Sequence, residues 1–331
     1  MWAITFSLNA EENVSGAENK PYVPTNDILH HIANSHEWHL WGKGESSVSI
    51  PLPVILYCEG EIDVFMSSKF HHGKEKVVKK DRIYEMDSHG HILEANGKDF
   101  LDLSITKNVT SMLISVLILF LLLRSTSRSY ARKKSAPKGV QAFLEPLILF
   151  VRDDIIKSNI GPKYKRFTGF LLTVFFFILT NNLMGLLPAA ANVTGNISVT
   201  LVLSVFTFVI ITFSANKDYW KHIVKPPGTP LMLLPIMIPI EVFGIFTKPF
   251  ALMIRLFANI TAGHIIILSL ISLIFVAESQ GGSTAAWSVA PLSVLFTLFI
   301  YLIEILVSFL QAYIFTLLSA VFIGLAVKEE H

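Results

Sequence analysis

Seven charged, amide or imidazole side chains stand in two long apolar stretches of this sequence, 231–277 and 291–327. They are Glu241, Lys248, Arg255, Asn259 and His264 in the first, then Glu304 and Gln311 in the second. A charge at the centre of a bilayer costs roughly 2.5–3.5 kcal/mol on insertion scales. Such residues normally face protein or water. Arg255 keeps its proton, because a guanidinium has a pKa above about 12, so it cannot relay protons and can only attract an anion or block a cation. His264 and Glu304 both titrate, so a facing pair could hold water and pass protons. Two plainer alternatives stand beside this reading. Arg255 could snorkel to a lipid headgroup, and His264–Glu304 could be a structural bridge without transport.

Helical phase, at about 100° per residue, sorts these groups by face. Asn259 falls about 40° from Arg255, with Ala262 and Gly263 on or near the same side, where small residues let another helix approach. His264 falls about 180° away. Glu304 and Gln311 share a stripe on their own helix. Glu241, Lys248 and Arg255 recur every seven residues and form a stripe if Pro249 bends the helix only slightly.

The elements that must position them are membrane helices. The chain has 331 residues, 52% hydrophobic and only 16% charged, with mean hydropathy +0.55. A globular chain is about 25% charged. Residues 1–107 hold 26 of the 52 charged residues, so a polar front block precedes an apolar body. The single cysteine, Cys58, excludes an internal disulfide and a cysteine-based metal site. Residues 1–10 lack the basic start and long apolar stretch of a signal peptide.

The hydropathy pattern predicts spanning helices near 107–123, 167–187 and 197–215. Two segments then exceed one crossing. The 47 residues of 231–277 would make a helix of about 70 Å, and 291–327 one of about 55 Å, against a hydrocarbon core of about 30 Å. Prolines 235, 239 and 249 allow bends in the first. The second has no proline after Pro291 and is expected to tilt strongly. A polar loop is expected over 278–291. Eleven Lys or Arg in 124–166 and three lysines in 216–230 place those loops in the cytoplasm, with the uncharged 188–196 turn and residues 1–106 outside. Charges interrupt 140–160, which reads as an amphipathic helix lying on the cytoplasmic face. The expected fold is an all-α polytopic membrane protein of about five membrane helices with a small β-rich N-terminal extramembrane domain.

In the front block, 47–58, 61–66, 91–93 and 100–103 read as strands, and 11–26 as extended or disordered. Eight of the eleven histidines lie here: His30, His31, His36, His39, His71, His72, His89 and His91. Their spacing is not that of a zinc site, and they read as solvated surface residues. No metal and no cofactor are expected.

The motifs 254-IRLFANITAGHIIIL-268 and 304-EILVSFLQAYIFTLL-318, supported by 150-FVRDDI-155, 161-GPKYKRF-167, 182-NLMGLLP-188 and 241-EVFGIFTKPFALMIR-255, resemble subunit a of the membrane sector of F-type ATP synthases. The resemblance covers 107–331 and leaves 1–106 as a separate region. It implies that Arg255 is the family's essential arginine, opposite a rotating ring of c subunits, with Asn259, Gln311, Glu241 and Asn182 at the family's polar positions. It implies two offset proton half-channels and coupling of proton flow to ATP synthesis. The implied partners are the c-ring, b-type peripheral stalk subunits, the rest of the complex and the lipid of a bacterial inner membrane, with the C-terminus cytoplasmic. Nucleic acid is not among them, and the nucleotide chemistry belongs to other subunits, so the chain is expected to translocate protons with no catalytic chemistry of its own. A familiar version of the family carries an acid where His264 stands and a histidine where Glu304 stands, so the two appear exchanged. Gly185 replaces an aspartate found in some members. The alternative is a self-contained secondary transporter or channel, against which no inverted repeat is visible.

Overall fold

The computed structural model describes residues 24–25, 34–41, 48–71, 73, 75–80, 82–87, 90–95, 97, 99–132, 139–187, 191–224 and 231–328. The expectations for residues 1–10, for most of 11–26, and for His30, His31, His72 and His89 fall outside these residues. The chain divides into two compact units. One is built on the described part of 1–110 with 187–191 and 263–302; the other takes 111–186, 192–262 and 303–331.

The first unit holds eight short strands among the described residues: β1 Glu37–Trp41, β2 Val48–Pro51, β3 Pro53–Cys58, β4 Glu61–Met66, β5 Val77–Lys79, β6 Arg82–Met86, β7 Ile92–Glu94 and β8 Leu101–Asp102. They form the antiparallel sheets β1–β2, β4–β3–β8 and β5–β6–β7. The predicted strand over 47–58 is two strands parted at Leu52. The predicted strands near 91–93 and 100–103 exist, and they pair with β6 and β3 respectively. At the β3–β4 turn, Glu59 (φ 50°) and Gly60 (φ 86°) supply the two positive φ angles of a tight hairpin. Alternation along β3 sends Val54, Leu56 and Cys58 inward. With Phe65, Phe70, Val77, Tyr84 and Ile92 they form the core, where Phe65 stacks on Tyr84 with centroids 5.9 Å apart.

A buried carboxylate organises that core. Asp63 accepts from Tyr84 Oη at 2.8 Å and Arg82 Nη1 at 3.0 Å. Burial alone would raise its pKa, but these two donors hold it below the usual carboxylate range. The Tyr84 phenol is pushed up to about 12 by burial and by its bond to Asp63. His36, expected as a solvated surface histidine, is instead buried. Its Nε2 lies 2.8 Å from Asp102 Oδ2 and its Nδ1 3.1 Å from the Gly90 carbonyl. Spacing in sequence could not reveal a pairing across 66 residues.

Four helical runs are long and apolar enough to cross a membrane: Lys107–Arg128, Val140–Gly185, Ile197–Ser214 and Leu234–Val327. The helices within them are α1 Lys107–Arg132, α2 Val140–Phe150, α3 Tyr164–Gly185, α4 Ile197–Ser214 and α6 Leu234–Val327, with the short α5 Lys217–Val224 before the last. Asn196 caps α4 by accepting from the Ser198 N–H at 2.9 Å. Beyond α2 the chain stays helical through a π-turn, Val151–Lys157, and a further turn, Ser158–Ile160, and leaves the helical region at Gly161, with φ 73° and ψ −143°, before α3. Val151, Ile155, Ile156 and Ile160 are buried along it, while Asp154 and Lys157 are exposed.

In the second unit, Leu119, Leu144, Val151, Ile155, Phe175, Leu252, Leu256, Phe315 and Ile323 belong to one core. Side chains in lipid gain little from leaving hydrocarbon, so close packing and internal hydrogen bonds hold such a core. Gly324 shows how close: a Cβ there would meet the Asn159 carbonyl oxygen at 2.2 Å. The last carbonyls of α6 are also satisfied. The Ala326 oxygen accepts from the Asn216 N–H at 2.8 Å, and the Val327 oxygen from Asn216 Nδ2 at 2.8 Å and Lys163 Nζ at 3.4 Å.

The 94 residues of α6 would measure about 140 Å as a straight rod. The run is instead broken at Gly282, with φ 68° and ψ −171°, a conformation open essentially to glycine alone. The arms double back. Ser293 Oγ donates to the Leu270 carbonyl, and Gln311 Nε2 to the Arg255 carbonyl at 3.4 Å. The polar loop expected over 278–291 is therefore helical apart from Gly282. Ala, Ser and Trp are tolerated in a helix, so one glycine supplies the reversal.

Candidate functional site

The motif residues lie on the two arms of α6. Leu252, Leu256 and Ile260 are buried, so the first arm turns that face into the second unit's core. Arg255 and Asn259, four residues apart, flank that buried face and are exposed, beside Ala251, Ala258 and Ala262, also exposed. The phase argument for Arg255 and Asn259 thus matches their placement. Gly263, expected near this strip, is buried. The guanidinium sits on an open face whose neighbours are small.

From behind, Gln311 reaches this helix. It is 3% exposed, and its amide donates to the Arg255 carbonyl at 3.4 Å. Glu304 and Gln311 do share a stripe on the second arm, and the whole stripe is buried: Glu304, Ser308, Gln311, Ala312, Phe315 and Ser319. Its polar members have unequal partners. Among the described residues, Glu304 Oε2 and Ser308 Oγ have no protein hydrogen-bond partner. A carboxyl in such surroundings is costly as a bare anion.

Asn182 joins the same stripe from α3. It is 2% exposed, and its Nδ2 donates to the Ser308 carbonyl at 3.3 Å. Its Oδ1 accepts from Thr194 Oγ1 at 2.6 Å. The neighbouring Asn181 donates to the Phe177 carbonyl at 2.8 Å, and its Oδ1 is without a partner among the described residues. Sequence reading passed over Thr194, Ser308 and Asn181. The spacing of Ser308, four after Glu304 and three before Gln311, was the available signal. Nothing in the sequence marks Thr194, which reaches Asn182 through the turn before α4.

Glu241, Lys248 and Arg255 keep their seven-residue spacing on a helix that runs through Pro249, but they do not share one environment. Arg255 is exposed, whereas Glu241 and Lys248 are half-buried. The Lys248 ammonium lies 5.2 Å from the centroid of the Phe322 ring on the returning arm, a cation–π distance. His264 is half-buried and belongs to the first unit, while Glu304 belongs to the second. Among the described residues, no group of three or more His, Cys, Asp or Glu is placed to hold a metal ion.

This arrangement is that of a transmembrane helix pair presenting one fixed cation outward and a polar seam inward. Comparison with known proteins agrees. Residues 109–324 match the family model described as ATP synthase A chain, and residues 27–111 match a domain of unknown function, DUF8433. ATP synthase subunit a of Chloroherpeton thalassium (strain ATCC 35110 / GB-78) is 49% identical over 236 residues, 69% of this chain and 68% of that protein. The subunit a of Chlorobium phaeobacteroides (strain BS1) is 50% identical over 263 residues, 72% of this chain and 75% of that protein. That of Anaeromyxobacter sp. (strain Fw109-5) is 40% identical over 325 residues, 92% of this chain and 72% of that protein. With its polar motif carried on apolar helices and a family match over most of its length, the chain belongs to the ATP synthase A chain family, as a subunit a.

Proposed function

We propose that Arg255 works against a carboxylate on a neighbouring, moving subunit of a c-ring. The observation that carries this is the placement of Arg255 and Asn259 on an exposed strip of small residues, with Gln311 bracing the backbone behind. A permanent guanidinium there attracts an ionised acid and repels a free proton, so it separates two offset half-channels. The ring acid crosses lipid only when protonated. His264, Glu304 and Asn182 load the ring from outside; Glu241 stands on the inner exit. Support for giving the two groups one path comes from the exchange of acid and histidine relative to the familiar pattern.

The chain itself then performs no bond chemistry. Proton passage yields about 2.3 kcal/mol per 100 mV, so several protons are coupled to each nucleotide made elsewhere in the complex. In this reading α1, α3, α4 and the two arms of α6 make five crossings, the arms strongly tilted to fit a ring. The 140–160 helix lies along the cytoplasmic face of a bacterial inner membrane, residues 1–106 form a separate outer region, and the C-terminus is inside. Peripheral stalk subunits of b type hold the subunit fixed. A self-contained transporter is disfavoured by family membership.

The test is Arg255→Ala in inverted vesicles. ATP-driven acidification is expected to vanish while the complex still assembles, as read by co-purification of its other subunits. Normal pumping in an assembled variant would remove the mechanism.

A further inference from the structure

The front domain carries a surface that the transport mechanism leaves unused. In sheet β4–β3–β8 the residues opposite to the core form a continuous apolar face. Tyr57 pairs with both Ile62 and Leu101, Ile55 pairs with Val64, Pro53 pairs with Met66, and the Leu103 N–H bonds to the Ile55 carbonyl. Directly paired residues project to the same side. Ile62 is 62% exposed, Leu101 57%, Val64 56%, Leu103 54%, and Tyr57 and Met66 42% each. No member is charged, and the Tyr57 hydroxyl is the only side-chain hydrogen-bonding group among them. A solvated sheet face would alternate these with polar residues, and one face of the sheet is already spent on the core.

The segment leaving this sheet is fixed to the start of a membrane helix. β8 ends at Asp102 and α1 begins at Lys107. The connection is not free. The Ile105 N–H bonds to the Pro53 carbonyl at 3.1 Å, and the Lys107 N–H to the Ser35 carbonyl at 2.9 Å. Asn34 Nδ2 donates to Thr106 Oγ1 at 3.1 Å, and Asn34 Oδ1 accepts from the Asn108 N–H at 3.2 Å. Four residues of extended chain reach at most about 14 Å. Leu103 therefore stays within that distance of the first residue of a helix apolar enough to span a bilayer.

We propose that this face rests on the lipid leaflet at the N-terminal end of α1, so that the domain is a membrane-surface brace for the first spanning helix. The occupant is lipid, since the face itself carries no charge and is tied next to a span. Large exposed apolar patches mark protein or membrane contacts, and the other source, a protein subunit, is an outcome of the test.

The experiment uses the full chain, assembled with its complex, in vesicles of phosphatidylethanolamine and phosphatidylglycerol. In a Cys58→Ser background, a nitroxide is placed at Val64→Cys, at Leu101→Cys, or at the control Lys76→Cys, whose side chain is 65% exposed. At 64 and 101, collisions with oxygen relative to a water-soluble nickel chelate are expected to exceed those at 76 several-fold. Chelate access equal to the control means that the face is open to water, and the proposal falls. Shielding from both collision partners means that a protein covers it, and the proposal falls equally. Should Cys58→Ser prevent folding, Val64→Trp and Lys76→Trp in the unaltered chain serve instead. Brominated lipid should quench added fluorescence at 64 several-fold more than at 76, and equal quenching overturns the inference.

Discussion

Asn182→Ala combined with Thr194→Val tests the seam that joins α3, the turn before α4 and the second arm of α6. Asn182 is 2% and Thr194 1% exposed, and their side chains meet at 2.6 Å. A net hydrogen bond contributes about 1 kcal/mol, and an orphaned buried hydroxyl costs about 1–3 kcal/mol. Asn182→Ala loses this bond and strands Thr194 Oγ1. It also loses the longer 3.3 Å bond to the Ser308 carbonyl, a weaker contact by geometry. Membrane-protein cycles average about 0.6 kcal/mol and reach about 1.7, which pulls the total down. Asn182→Ala is expected to destabilise by about 2 kcal/mol, and Thr194→Val by about 1. The double variant should be less destabilised than their sum by about 1 kcal/mol, because neither partner is then left orphaned. SDS-driven unfolding of the purified subunit in mixed micelles measures each corner of the cycle. Strict additivity, within about 0.3 kcal/mol, would refute the claim that these two side chains hold each other.

His264→Glu with Glu304→His should retain more coupled proton pumping than either single change; a double variant no better than the singles ends the proposal that the two groups serve one proton path. Gly282→Ala meets no atom within 4 Å of the added Cβ, so its whole cost is backbone strain of about 1–3 kcal/mol. It should lower subunit stability in the same SDS assay, whereas an unchanged midpoint would mean that the break does not need glycine. In the front domain, burial lowers the His36 pKa, but the bond and charge of Asp102 raise it by more. Burial raises that of Asp102, yet His36 and Ser104 bring it down to about 2. A raised histidine pKa stabilises below about 6.5 and loses that effect as pH rises through the folded value; a depressed carboxylate stabilises above about 3.9 and loses it as pH falls towards its folded value. The pair should therefore contribute most between about pH 4 and 6.5. Asp102 is partly exposed, so screening limits its contribution to about 1 kcal/mol. Asp102→Asn should reduce amide-exchange protection around β7 and β8 more at pH 5.5 than at pH 8, and equal loss at both pH values would contradict it.

Apolar run length alone sufficed for the helices near 107, 167 and 197, because lipid forces every backbone bond to close within the segment. The 3.6-residue period likewise set Arg255 beside Asn259 and Glu304 in line with Gln311, since both are relations within one helix. Relations between elements were beyond that reach. Nothing local distinguishes an Asn182 that bonds Thr194 and Ser308 from one facing lipid, nor a buried His36 from a solvated one. The sequence 278–291 looked like a loop because its residues are polar, yet helix propensity tolerates them and only Gly282 had to leave the helical region. The heptad of Glu241, Lys248 and Arg255 survived as spacing and failed as a common environment, because burial depends on what packs against each side. Local sequence determines which backbone groups can satisfy themselves and which way a side chain points on its own helix. What it points at, whether core, Phe322 ring or open face, is decided by contacts between segments far apart in the chain, and those come only with the tertiary structure.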